Sequence, residues 1–229
     1  MSKVIALSPS DFVYLKDWCP RCYWLKCHGY KPLKDDLQPV FRVIDAAMKA
    51  YLTPEVLREM GVAAVSRVAA EYVRSRVFHV GEVELCLSTK PDCVYMLEDG
   101  TAAVVEAKCT NADEAYLTKF QRQLGSYIVT LENPEKGTAL QVTQAMLCVL
   151  NPSPEIKASQ KSNAVALMGY FDTYSFPVDA LRRSVQAELE AVAKIVTGPM
   201  PESGSRCMVC NYIAKRESYI RRLNEDADN

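Results

Sequence analysis

Two Cys-x-x-Cys pairs, Cys19-Pro20-Arg21-Cys22 and Cys207-Met208-Val209-Cys210, stand near opposite ends of a chain of 229 residues. Each pair can present two thiolates to one metal from a single turn. Four sulfurs on one centre would therefore draw the first and last segments together and close a loop of nearly the whole chain. The spacing argues against a zinc ribbon, in which two such pairs enclose a short knuckle. The other thiols, Cys27, Cys86, Cys93, Cys109 and Cys148, are isolated, and small apolar packing is their default role. An odd count of nine cysteines without a secretion leader argues against a disulfide framework and for reduced thiols in a cytoplasmic protein.

The length, with 49% hydrophobic and 24% charged residues, supports one sizeable core, and hence a single domain over residues 1–229. A core over residues 40–197 would lie between the cysteine segments 19–22 and 207–210. A net charge of -1 gives no global attraction to nucleic acid, so a nucleic-acid partner would have to meet a local basic patch. No apolar run approaches the ~20 residues a bilayer span needs, and no membrane partner is expected.

Ser8 as N-cap, Pro9 at the first helical position and Asp11 in the first turn predict a helix running to Trp18. A polar loop over residues 29–39 follows. Val40, Ile44, Met48, Tyr51 and Leu52 recur at helical spacing, and a second helix is expected from Pro54 to Arg76. From Gly81 the period changes to two: Val83, Leu85 and Leu87 alternate with Glu82, Glu84 and Ser88 around Cys86, which predicts a half-buried strand. Residues 93–108 read as two strands around an Asp99-Gly100 turn. Asp113 to Leu131 reads as an amphipathic helix, followed by strands over 141–150 and 165–175, a helix from Val178 to Val196, and a basic helix after Cys210. The order defines an α/β fold, a mixed β-sheet flanked by helices on both sides.

The charged residues with chemical potential gather on the predicted hairpin. Asp92 begins one strand, and Glu106-Ala107-Lys108 ends its antiparallel partner, so the two ends meet and Asp92 and Glu106 lie side by side. Alternate strand residues share a face, so Glu106 and Lys108 point the same way. Two facing carboxylates repel unless a divalent cation is ligated between them, and hard oxygen donors suit Mg2+ or Mn2+. A surface ion-pair cluster is the plainer alternative. Glu84 is a further candidate, on what reads as the strand beside Asp92.

These residues resemble the motif of the PD-(D/E)XK nuclease superfamily, present literally as Pro91-Asp92 and Glu106-Ala107-Lys108. Gln123-Leu124-Gly125-Ser126-Tyr127 matches the QxxxY signature of its RecB-like branch, which includes the CRISPR-associated exonucleases and the AddB nuclease domain. The resemblance implies a restriction-endonuclease-like core, Mg2+ or Mn2+ on Asp92 and Glu106, and catalytic roles for Lys108, Gln123 and Tyr127. It implies a DNA nuclease, an exonuclease acting on single strands or ends; a helicase, an integrase or further copies of the chain as partners are left open. A catalytically inactive DNA-binding or assembly subunit that keeps the fold is the alternative. The branch leads one to expect a histidine ligand on the helix before the sheet. At that place this chain offers Asp45, one turn before Lys49, as an oxygen ligand in place of imidazole. The resemblance also implies a [4Fe-4S] cluster stapling the ends of the domain through one early and three late cysteines. Cys19, Cys207 and Cys210 match three of those positions, no cysteine follows Cys210, and Cys22 would supply the fourth sulfur. Zn2+ remains the alternative metal for a four-thiolate site.

For nucleic acid, Lys119 and Arg122, Lys157 and Lys161, and Lys215, Arg216, Arg221 and Arg222 form basic clusters that can track phosphates or simply face solvent. Tyr23, Trp24 and Tyr30 are placed either to stack unpaired bases or to pack a helix onto the core.

Overall fold

The computed structural model describes residues 4–12, 19–30, 39–69, 71–110, 114–158 and 165–227. Strand β1 (Ile5–Leu7) leads into a turn at residues 9–12, where the Ser8 N–H donates to Asp11 Oδ2 (2.8 Å) and the Asp11 N–H to the Ser8 carbonyl (2.9 Å). The expected helix start therefore forms, while its continuation to Trp18 lies outside the described residues, as does most of the expected loop before Pro39. Helix α1 (Pro20–Cys27) begins on Cys19 as N-cap. Helix α2 (Pro39–Tyr51) buries Met48, and α3 (Pro54–Glu59) is capped by Thr53, whose Oγ1 accepts from the Val56 N–H at 3.4 Å.

The helix expected to reach Arg76 stops here. Gly61, at φ 89°, takes a left-handed conformation that releases the chain into strands β2 (Ala64–Val68), β3 (Val73–Arg74) and β4 (Phe78–Val80). Apolar spacing in this Ala- and Val-rich run is ambiguous over so short a length. Sheet edges that need a partner override helical propensity in it.

Strands β5 (Val83–Thr89), β6 (Cys93–Leu97) and β7 (Ala102–Cys109) follow, then helix α4 (Glu114–Glu132), β8 (Val142–Ala158), β9 (Val165–Ser175), α5 (Val178–Thr197) and α6 (Met208–Ala227). The hairpin between β6 and β7 closes as its sequence dictates. Asp99 Oδ1 accepts from the Thr101 N–H (2.9 Å) and hydroxyl (2.6 Å), and Gly100 is left-handed at φ 79°.

Five strands form one sheet in the order β2-β6-β7-β8-β9, with β7 and β8 parallel and every other pair antiparallel. The parallel pair is joined through α4, as a crossover requires. A second sheet has β5 at its centre, flanked by β1 in parallel and by β3 and β4 antiparallel. The single sheet expected from sequence is thus two mixed sheets, both flanked by helices.

β7 is buried on both faces from Ala102 to Ala107, which suits its apolar run Ala102–Val105. Ala103, Val105 and Ala107 pack with Met48, Leu52 and Leu57 of the α2–α3 layer. Ala102 and Val104 pack with Phe120, Leu124, Tyr127 and Ile128 of α4. A third cluster joins Leu7, Phe12, Tyr23 and the β5 leucines to Val185, Leu189 and Val192 of α5. Gly125 lets α4 approach α5 closely, since a Cβ there would stand 2.8 Å from the Leu181 carbonyl oxygen. Among the described residues, no helix is long and apolar enough to cross a membrane.

Candidate active site and cysteine clamp

Cys93 pairs with Val105 across β6 and β7, a register that carries Asp92 opposite Glu106. Glu106 follows Val104 on the α4 side of β7, and Lys108 shares that side, its ammonium ion-paired with Glu106 Oε1 and 5.3 Å from the centre of the Phe120 ring. Glu106 is fully buried, with the Lys108 ammonium against its Oε1 and the Asp92 carboxyl and Tyr127 phenol beside it. Asp92 lies beside it. Its Oδ2 accepts from the Ala107 N–H (3.1 Å), and its Oδ1 meets the Lys49 ammonium at 2.7 Å.

Burial pushes the Glu106 carboxyl up to about 8, Lys108 pulls it down, and the Asp92 charge raises it again. The QxxxY residues converge on the same place. Gln123 Nε2 donates to the Tyr127 hydroxyl at 2.6 Å, and the buried Tyr127 phenol is pushed upward by burial first and then by the charges of Glu106 and Asp92. Five residues predicted from sequence, Asp92, Glu106, Lys108, Gln123 and Tyr127, are therefore gathered.

Asp45 reaches this group only through Lys49, whose ammonium also lies 2.6 Å from Asp45 Oδ2. Burial pulls Lys49 down, but its bonds to Asp45 and Asp92 outweigh that and raise it to about 12. Asp45, Asp92 and Glu106 do not bring three ligand atoms within 4.8 Å of one another. Among the described residues only the cysteine set does so. Glu84 is not beside Asp92, because β5 belongs to the other sheet, and there it faces His79 of β4, with Oε1 3.7 Å from His79 Nδ1.

Two residues were not singled out from the sequence. Lys49 occupies the place between two carboxylates where a cation belongs, and its spacing of four from Asp45 was the available signal. Arg67 of β2 donates to the carbonyls of Lys49 (2.6 Å) and Asp92 (3.3 Å) and to Cys93 Sγ (3.0 Å), fastening α2 to the start of β6. Reading β2 as helix hid it.

A buried carboxyl titrating near 8 in the folded chain and near 4.5 when unfolded retains a proton that the unfolded chain has lost. Stability without metal therefore falls as pH rises through that window. Glu106→Gln cannot ionise. In EDTA at about pH 9 the variant is expected to be more stable than the unaltered chain by on the order of 2 kcal/mol, with the difference vanishing near pH 4. Urea unfolding at the two pH values measures this, and equal stability at high pH would show that Glu106 is not held in a desolvated site.

At the other end of the molecule the four clamp sulfurs meet. Sγ separations are 3.7 Å for Cys19–Cys210, 3.6 Å for Cys22–Cys207 and 3.5 Å for Cys22–Cys210, and all four atoms lie within 4.8 Å of one another. Cys19 caps α1 and Cys207 immediately precedes α6, so two helix N-termini face the sulfurs. Burial acts to raise Cys19, yet the backbone N–H groups of Cys22 and Gly204 bring it down to about 7. Burial pushes Cys210 up to about 11 and Cys22 further up. Arg21 Nε donates to the Pro201 carbonyl (3.0 Å) and Trp24 Nε1 to that of Gly198 (3.0 Å), tying α1 to the segment between α5 and α6. The donor set suits a thiolate-bound metal such as zinc or an iron–sulfur cluster.

Of the expected base-stacking residues, Tyr23 is wholly buried in the core and Trp24 stacks on His28 at 3.7 Å, which leaves Tyr30 exposed. Arg122 is paired with Glu188 at 3.2 Å, and Lys119 lies over the Tyr116 ring. Lys215, Arg216 and Arg221 are exposed along α6. Lys161 and the side chains of Lys157 and Arg222 lie outside the described residues.

No family model and no curated protein matches the chain. Among solved structures it is similar to the crystal structure of SSO0001, at 12% identity over 83% of this chain and 78% of that one, with a TM-score of 0.41. It is also similar to Scheffersomyces stipitis Rai1 in complex with (3'-NADP)+ and calcium ion, at 14% identity over 56% of this chain and 34% of that one, with a TM-score of 0.22. Likenesses this distant leave function to the site itself.

Proposed function

We propose that the chain is a metal-dependent DNA nuclease of the PD-(D/E)XK type, close to the RecB-like branch and acting on single strands or ends. One observation carries the reading: the fully buried Glu106 carboxyl stands beside a second carboxyl, Asp92, and under the Lys108 ammonium. Burying such a group opposes folding, so its presence in a charged constellation points to a task. Hard oxygen donors on Asp92 and Glu106 suit Mg2+ or Mn2+. A bound ion would supply Lewis acidity toward a phosphate oxygen and acidify a water.

The chain's own residues do the rest. Lys108, paired with Glu106, is placed to orient the attacking water and to neutralise charge that builds on the phosphate. Gln123 fixes the Tyr127 hydroxyl against the carboxylates, which closes the floor of the site. Lys49 balances the charge of Asp92 and of Asp45; Asp92 with Glu106, and Asp45 if that ammonium were displaced, would hold the ion. Lys49→Met is accordingly expected to tighten Mn2+ binding several-fold in a calorimetric titration. Weaker binding would instead make Lys49 a support for the site.

The reading is tested by incubating the chain with circular, linear, single-stranded and double-stranded DNA under each divalent ion. Release of nucleotides from single strands or ends with Mg2+ or Mn2+, abolished by EDTA, is the expected result. DNA binding with no cleavage under any ion would favour the non-catalytic subunit instead.

A further inference from the structure

The spacing of the clamp sulfurs discriminates between the metals that thiolates hold, and we infer that the clamp binds a single tetrahedral zinc ion and not an iron–sulfur cluster. Four bonds of about 2.3 Å from one zinc at tetrahedral angles set the sulfurs roughly 3.8 Å apart. The observed separations of 3.7, 3.6 and 3.5 Å are those of sulfurs sharing one ion.

A cubane places each thiolate on a different iron. Its sulfurs stand apart by the width of the cluster plus two outward bonds, and four sulfurs all within 4.8 Å of one another leave no room for it. A two-iron cluster would divide the sulfurs into two pairs. The three short separations link Cys19 to Cys210, Cys210 to Cys22 and Cys22 to Cys207, so any division makes one of them span both irons.

The surroundings fit a closed four-thiolate ion. Three of the four cysteines are buried, and among the described residues the buried cluster they form holds no other hydrophobic side chain. The Cys22 and Gly204 N–H groups donate to Cys19 Sγ at 3.5 and 3.4 Å, and the helix termini at Cys19 and Cys207 add positive potential where thiolate charge accumulates. Among single divalent ions, zinc binds such a site more tightly than ferrous iron. No open coordination position remains, so the ion is a staple between α1 and α6 and takes no part in hydrolysis. This inference is independent of the nuclease reading, since no residue is shared between the two sites.

The test is metal and acid-labile sulfide analysis of the full chain purified under strict anaerobiosis. One zinc per chain in colourless protein without sulfide is expected, and anaerobic incubation with iron and sulfide should install no cluster. Exchange with Co2+ should give the intense charge-transfer and visible bands of tetrahedral cobalt thiolate, and Cys22→Ser should lose them. Should that variant fail to fold, the cobalt spectrum of the unaltered chain decides alone. Iron with sulfide, iron without sulfide, no stoichiometric metal, or an octahedral cobalt spectrum would each overturn the zinc site.

Discussion

Lys108→Met is expected to lower Mn2+-dependent cleavage of single-stranded DNA by about a thousandfold, the size of effect seen when one preorganised charge is removed from a developing oxyanion. Methionine keeps the length of the side chain and its packing on Phe120, so circular dichroism and clamp metal content should not change. The loss should fall on turnover at saturating Mn2+ and persist when DNA is in excess. Asp92→Ala should lose as much, because Asp92 and Glu106 are the only carboxylates that the hairpin register sets opposite each other at its open end. Undiminished cleavage by both variants would remove the site from the chemistry.

The second large effect concerns the clamp. Cys22 and Cys207 are 185 positions apart, and linking positions so distant withdraws roughly 5 kcal/mol of loop-closure freedom from the unfolded chain by the polymer estimate. Cys207→Ser is therefore expected to lower Tm by about 10 °C or more, on the scale of roughly 2–4 °C per kcal/mol for a chain of this size. The loss begins at the ends. Limited proteolysis should first cut the segment between α5 and α6, and cleavage of DNA at low temperature should survive, since the core residues of the hairpin and α4 belong to clusters separate from that of the clamp cysteines. A variant with unchanged Tm would mean that the four thiols are merely neighbours.

What the sequence makes legible is local. Asp99-Gly100 fixes the hairpin, the hairpin fixes the meeting of Asp92 with Glu106, and period four in α4 fixes Gln123 beneath Tyr127. Each step needs only neighbours on one or two elements. The residues that escaped depend on long-range partners. β2 has helix-compatible composition and becomes a strand because the β6 edge is there to pair with it, and Arg67 goes unseen for the same reason. Glu84 falls in the other sheet because β5 pairs with β1, β3 and β4, strands of two or three residues with almost no pattern of their own. Lys49 was visible only as a helical neighbour of Asp45, and its second partner, Asp92, lies 43 positions on across the fold. The clamp was legible as composition, but the choice among thiolate metals rests on sulfur spacings that no sequence carries.

The most direct measurement is Mn2+ binding followed by electron paramagnetic resonance, in the unaltered chain and in Glu106→Gln, with clamp metal monitored in both. A saturable Mn2+ signal that the variant weakens by at least about tenfold, with clamp metal unchanged, is the predicted result. Identical Mn2+ binding by the two proteins would contradict a divalent ion held between Asp92 and Glu106.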